Sequence, residues 1–227
     1  MDKDIWTELS TSYDEILTKW SLYQEIRRRV LDIFYQENKI YDQGCGTGIL
    51  TIDLALKGLE VYGIDSNPQM LARAFEKIKK YSLEDKVFLK EGEVLDKHFE
   101  DNSFDGIISN NVLYYVGNPN KLLTEALRVL KKNKKIIIVG PIHNPDIEKI
   151  ATHCYQEFMD KGLLPEFQEH FNNVVECNRL LKKEDKFQNT YTSKELSNLL
   201  LNLGFSEIIS AKEDIYLGIN YCVIAKK

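Results

Sequence analysis

The sequence predicts a doubly wound α/β fold, and three features carry that prediction. Over residues 39–140, short apolar runs alternate with stretches whose apolar residues recur at helical spacing. Several runs, KIIIVG at 135–140 among them, are continuously apolar, as strands are when a parallel sheet is covered on both faces. The final stretch, SEIISAKEDIYLGINYCVIAKK, holds two strand-like runs around a charged, turn-like segment, which predicts a hairpin with at least one antiparallel strand. Five earlier strands and these two make a mostly parallel seven-stranded sheet.

The elements follow in order. Leu22, Ile26, Val30 and Phe34 recur every fourth residue and place an amphipathic helix over 22–36. KIYDQ at 39–43 is a first strand, and a helix from about Gly48 to Lys57 is closed by Gly58. EVYGID at 60–65 is a second strand; Ser66, Asn67 and Pro68 then supply a cap and a first-turn proline for a helix with Leu71, Ala74, Phe75 and Ile78 on one face. Residues 86–90, 104–109 and 135–140 are the third to fifth strands, with Leu123, Ala126, Leu127 and Leu130 marking a helix between the last two. Beyond Pro141, an apolar stripe from Ile147 to Phe158 predicts a helix, followed by an irregular, aromatic-bearing segment to about Tyr191. Thr192 to Glu195 matches a capping box before a leucine-rich helix that Gly204 ends.

At 227 residues the chain suits one domain, burying roughly 70 % of the surface its unfolded form exposes. Cys45, Cys154, Cys177 and Cys222 lack C-x-x-C spacing and the four histidines lack a ligand pattern, so no metal is expected. A net charge of −5 argues against a nucleic-acid footprint. The basic runs at Arg27 to Arg29 and Lys131 to Lys135 are expected in the last turns of helices or just beyond. No apolar run approaches the ~20 residues of a membrane span, and the acidic start is unlike a signal peptide, so a cytoplasmic protein without a membrane partner is expected.

The stretch DQGCGTG carries the functional signal. A strand that ends in glycines and opens a helix exposes unpaired N–H groups to a ligand. The dinucleotide fingerprint would need its third glycine where Ile49 stands, and a Walker loop would end in Gly-Lys-Ser/Thr. Asp42 at the mouth of the loop disfavours a pyrophosphate and suits a cation. Asp65, closing the second strand, is placed to accept from two ribose hydroxyls. A nucleoside joined to a cationic, zwitterionic tail satisfies the set.

IYDQGCGTG, VYGIDSNPQMLARA and FDGIISNNVLYYV, in this order and spacing, resemble the motifs of class I S-adenosylmethionine-dependent methyltransferases, in particular the small-molecule branch. The resemblance covers about Tyr13 to Lys131 and implies a Rossmann-like core with an N-terminal helical lid. It divides the chain into a lid (1–36), a cofactor-binding core (39–140), a substrate-side insert (141–191) and a closing helix with strands (192–227). By that resemblance Gly44, Cys45 and Gly46 line the methionine part of S-adenosyl-L-methionine, and Asp42 holds its ammonium directly or through water. Asp65, with Ser66 beside it, takes the ribose diol, and Met70 lies on the adenine. Glu93 stands where the family usually has the aspartate that accepts from the adenine amino group, with Val94 next to the ring. The Asn110 carbonyl contacts the ammonium, Tyr13 lies near cofactor and substrate mouth, and Tyr114 and Tyr115 face the substrate. Gln43 departs from the family, whose strand is apolar there.

Methyl transfer from a sulfonium is an in-line displacement in which the cofactor supplies the electrophile and the protein aligns the reactants. A hydroxyl acceptor benefits from a general base, whereas a neutral amine or stabilised carbanion has less need of one. His143 is the first candidate base by its position after the fifth strand, followed by His153, His170 and Tyr13. Tyr155, Phe158, Phe167, Phe171 and Phe187 are candidates to roof an apolar acceptor, with Tyr155 and Phe158 also read as core. Asn110 to Leu113 lacks the motif of the amino-methylating nucleic-acid enzymes. The expected reaction is therefore methylation of a small molecule at oxygen or nitrogen, against two alternatives: a nicotinamide-dependent oxidoreductase and a cofactor-binding scaffold without turnover. Oligomeric state is open.

Overall fold

A computed structural model of the chain describes residues 5–96 and 98–227. Seven strands form one sheet: β1 (Lys39–Gln43), β2 (Glu60–Asp65), β3 (Val87–Glu91), β4 (Phe104–Asn110), β5 (Leu130–Pro141), β6 (Glu207–Ile215) and β7 (Asn220–Lys226). Their spatial order is β3-β2-β1-β4-β5-β7-β6. The first five are parallel; β7 runs antiparallel between β5 and β6, as the terminal hairpin requires. The chain winds outward from β1 to β3 and then crosses back to β4, so order reverses between β1 and β4. In open sheets of this kind ligands lie at the carboxyl ends of the strands beside that reversal.

Among the described residues eight α-helices accompany the sheet: α1 (Ile5–Leu17), α2 (Ser21–Phe34), α3 (Ile49–Leu56), α4 (Pro68–Lys80), α5 (Pro119–Val129), α6 (Ile147–Asp160), α7 (Leu164–Lys183) and α8 (Ser193–Leu203). Successive side chains of a strand point to opposite faces, and the central strands feed two cores accordingly. Ile108, Ile137 and Val139 join the core under α2, α3 and α6, while Ile107, Ile136 and Ile138 join that under α5 and α8. A Cβ at Gly106 would collide with the Phe34 ring, which fixes how closely α2 approaches β4.

The helix ends obey their local chemistry. The Asn67 side chain accepts from the N–H groups of Gln69 and Met70, with Pro68 in the first turn of α4. Thr192 and Glu195 complete a reciprocal capping box at α8, and Gly204 ends it at φ 108°.

Two expectations need correction. The segment expected to be irregular up to Tyr191 contains α7, a 20-residue helix. Its buried face, with Leu164, Phe167, Phe171, Cys177 and Leu181, recurs at helical spacing, while polar residues such as Asn172 and Asn173 are exposed on the other side. Arg27 to Arg29 lie within α2 rather than in its last turn. Arg27 grips Asp53 of α3 through two bonds of 2.5 and 2.7 Å, and Arg29 bonds Glu25 and Asp214. The lysine run lies just beyond α5, as expected, within β5, which begins at Leu130; there Lys131 pairs with Asp105 at 2.9 Å, and Lys134 with Glu37. Among the described residues no helix is long and apolar enough to cross a membrane, and no cluster of three or more His, Cys, Asp or Glu residues suits a metal.

Candidate active site

A cavity of about 390 Å³ opens at the carboxyl ends of β1 and β4, under α1. One half is built by the β1–α3 loop and the ends of β2 and β4. Gly44 and Gly46 take left-handed φ of +61° and +54°. A Cβ on Gly44 would come 2.5 Å from Val112, whereas nothing lies within 4 Å of one on Gly46, which therefore presents bare backbone. Asp65 locks this loop: its carboxylate accepts the N–H of Gly46 at 2.7 Å and that of Asn67 at 2.9 Å. Each carboxylate oxygen has two lone pairs, so capacity for a ribose diol remains.

Asp42 lies beneath the loop, 3 % exposed, and accepts from the Thr51 hydroxyl at 2.6 Å. Burial pushes its carboxyl up to about 7, with the Thr51 bond opposing and Asp65 adding to the rise. A buried acid so placed is costly to ionise alone and favourable beside a cation. The Asn110 Oδ1 atom, at the end of β4, is buried without a hydrogen-bond partner. These two groups fit the ammonium-bearing tail of S-adenosylmethionine. Cys45, Ser66, Met70, Glu93 and Val94 also line this half.

The lid is tied to the same loop. Asp14 of α1 accepts from the Thr47 hydroxyl and from Lys77 of α4, both at 2.5 Å. Neither contact was legible in the sequence, because three elements must meet to make it. Tyr13, beside Asp14, lines the cavity and is pushed up to about 12, first by burial and then by the charges of Asp14 and Asp65. A phenol so shifted is neutral at neutral pH.

The other half is aromatic and apolar, with walls from α1, α2, α6, α7 and the turn between β6 and β7. Tyr114 lines it, stacked on Phe187 at 4.9 Å, while Tyr115 is half exposed with its ring edge against Trp6. Of the aromatic residues expected to roof an acceptor, Phe171 and Phe187 line the cavity. Phe158 is core at 0 % exposure, Phe167 is buried against it, and Tyr155 is exposed, against its reading as core. Trp20, Tyr23, Cys154 and Tyr216 also line it and escaped sequence reasoning. A helix start, a mid-helix stripe and a turn give no shared pattern.

His143 does not join the site. After β5 the chain turns outward, and the ring bonds Thr190 at 3.1 Å and the capping Glu195 at 2.7 Å, half exposed beside α8. His170 is bonded to Ser12 at 3.1 Å and His153 sits beside Trp20. Among the described residues no histidine lines the cavity.

A family model described as a methyltransferase domain matches residues 36–199. The chain is 29 % identical to the demethylmenaquinone methyltransferase of Lactobacillus johnsonii over 99 % of its own length and 92 % of that protein's. It is 32 % identical to the 2-phytyl-1,4-naphtoquinone methyltransferase of Synechocystis, over 91 % of this chain and 87 % of that one. Among solved structures, a candidate S-adenosyl-L-methionine-dependent methyltransferase of Methanococcus maripaludis shares the fold, with a TM-score of 0.69 at 22 % identity over 100 % of this chain and 95 % of that chain. The sheet order, the family match running through the glycine loop, and relatives aligned over nearly the whole chain agree, and the chain belongs to the methyltransferase-domain family as a class I S-adenosylmethionine-dependent methyltransferase.

Proposed function

We propose that the enzyme methylates a neutral, largely apolar aromatic small molecule of the hydroquinone class, at or through a ring hydroxyl. One observation carries this reading: among the described residues, the charged ones lining the cavity are Asp42, Asp65 and Glu93, all on the cofactor side. The acceptor half thus offers no cation to a phosphate or carboxylate and no carboxylate of its own to an ammonium. The same distribution disfavours nucleic acid and a dinucleotide pyrophosphate. Two relatives named for naphthoquinone-type acceptors support the class.

Bound S-adenosylmethionine supplies the electrophilic methyl group. In this reading Asp42, Gly44, Cys45, Gly46 and Asn110 hold its amino-acid tail, Asp65 and Ser66 its ribose, and Met70, Glu93 and Val94 its adenine. The apolar wall excludes water and orients the acceptor ring for in-line attack. Without a histidine in reach, a phenolic hydroxyl that ionises near pH 10 suits the site better than an alkyl alcohol. The 227 residues act as one catalytic domain, with α1 and α2 as its lid.

The test is turnover of S-adenosylmethionine against reduced 1,4-naphthohydroquinone, an aryl amine and an aryl phosphate, read by mass spectrometry. Methylation of the hydroquinone in preference to the other two is expected, and the product's fragmentation assigns oxygen or ring carbon. Preference for the amine or the phosphate would overturn the acceptor class. Cofactor binding without turnover on any of them would favour a scaffold.

A further inference from the structure

The acceptor half contains polar atoms that the reading above does not use. Tyr23, in the first turns of α2, and Tyr216, in the turn between β6 and β7, are 3 % and 7 % exposed and both line the cavity. Their rings are held by their surroundings. Trp20 stacks on Tyr216 with centroids 5.0 Å apart and planes 8° apart. Tyr23 is part of the core beneath α2.

Neither hydroxyl makes a hydrogen bond to another described residue, and the Nε1–H of Trp20, the ring stacked on Tyr216, is buried without a partner. Buried donors left unsatisfied cost free energy unless a ligand or water meets them. The backbone adds an independent sign. Tyr216 and Leu217 are consecutive non-glycine residues at φ +46° and +63°. That conformation is costly for side-chain-bearing residues and gathers where function requires a side chain to be aimed.

Burial, first among the causes, pushes both phenols well above their usual range, and the neighbouring Tyr13 adds to it. Asp42 also acts on Tyr23, and Cys154 on Tyr216. Both phenols are therefore neutral donors at working pH.

We infer that the Tyr23 and Tyr216 hydroxyls form a two-donor clamp for a ring oxygen of the acceptor, selecting oxygen-bearing aromatic rings and fixing which edge of the ring meets the methyl group. The inference rests on the acceptor class proposed above. Donation to a ring oxygen strengthens as that oxygen gains negative charge, so the clamp would also favour the ionised hydroquinone over the neutral one. Tyrosine pairs thereby supply what no histidine in the cavity supplies: stabilisation of the nucleophile's charge without proton abstraction.

The experiment is a titration of the full chain, saturated with S-adenosylhomocysteine, with reduced 1,4-naphthohydroquinone and with naphthalene. The readout is intrinsic fluorescence, because both tryptophans of the chain, Trp6 and Trp20, line the cavity. Tyr23→Phe and Tyr216→Phe keep ring and stacking while removing one oxygen. Each is expected to weaken the hydroquinone on the order of tenfold, to leave naphthalene and S-adenosylhomocysteine within about twofold, and to lower kcat/KM with hydroquinone. Hydroquinone affinity within twofold of wild type in both variants would overturn the clamp and leave the acceptor class standing. Equal loss of naphthalene and hydroquinone would also overturn it, since the hydroxyls would then be shaping the cavity. Failure of the unmodified chain to bind the hydroquinone would overturn the acceptor class, and the clamp with it.

Discussion

The two halves of one cavity are built in opposite ways. The cofactor half comes from consecutive residues at strand ends: Asp42 to Gly48 after β1, Asp65 to Asn67 after β2, and Asn110 after β4. Its two buried carboxylates are anchored locally, Asp65 by two loop N–H groups and Asp42 by the Thr51 hydroxyl. The acceptor half comes from α1, α2, α6, α7 and the β6–β7 turn, and its Tyr23 and Tyr216 hydroxyls make no hydrogen bond to another described residue. A half that binds the same cofactor in every reaction can be prefabricated by local chain geometry; a half that sets acceptor specificity is assembled from side chains distant in sequence. This difference predicts that substitutions in one half leave the other largely intact.

The sharpest attempt to break that separation is Asp65→Ala. It removes the acceptor of two loop N–H groups and of the ribose diol, so S-adenosylmethionine should weaken about 100-fold, ~3 kcal/mol, by calorimetry. Binding of an aromatic acceptor analogue should change less than threefold. Equal losses for both ligands would mean that the cavity is one mechanical unit.

A second expectation concerns pH. Asp42 titrates at about 7 in the ligand-free chain, above the unfolded carboxylate value. An acid raised in this way contributes stability that is fully present below about pH 4 and lost as pH rises through 7. Asp42→Asn should therefore stabilise the ligand-free chain at pH 8, by roughly 1–3 kcal/mol, in denaturant unfolding. Binding of an ammonium beside Asp42 would ionise it, so at pH 6 close to one proton should be released per cofactor, and affinity should fall as pH drops below 7. Calorimetry in buffers of different ionisation enthalpy reads that proton; none released would place the ammonium elsewhere.

The same contrast explains what the sequence disclosed. Strand order, the capping box at Thr192 and the glycine loop are all decided within a few residues, so period and spacing reveal them. The helix α7 carries a legible period at Leu164, Phe167, Phe171, Cys177 and Leu181, but its partner α1, far away in sequence, is not announced by that spacing. Trp20, Tyr23 and Tyr216 meet only through the folding of α2 onto the β6–β7 turn, and no spacing rule spans nearly two hundred residues. His143 misled because proximity to the end of β5 predicts height above the sheet, not the direction of the side chain. Gln43, conspicuous in the sequence, is wholly buried at the end of β1, away from the cavity wall.

A smaller effect should follow from cutting the bond between the halves. Asp14 joins α1 to Thr47 in the glycine loop and to Lys77 in α4, so the lid closes on both halves through one carboxylate. Asp14→Ala should speed dissociation of S-adenosylhomocysteine about five- to tenfold in stopped flow, with little change in association. Such a change in the off-rate, with the fold intact by circular dichroism, would identify α1 as the barrier to product release. An unchanged off-rate would make α1 a fixed wall.

The smallest effect is expected at His143, the residue that the sequence put first as a base. Its ring lies half exposed between Thr190 and Glu195, and Glu195 is held at about 2, first by the Thr192 N–H and then by His143 itself. The acid at the start of α8 thus has a capping role that persists without the histidine. His143→Ala should leave kcat and the KM for both substrates within about twofold, and the pH profile of kcat should keep its shape. A fall beyond tenfold with a lost acidic limb would require the His143–Glu195 pair to swing from α8 across the cavity mouth. Activity would then depend on a base carried by the mobile side of the site, and the tyrosine clamp would hold the acceptor for that base instead of stabilising its charge.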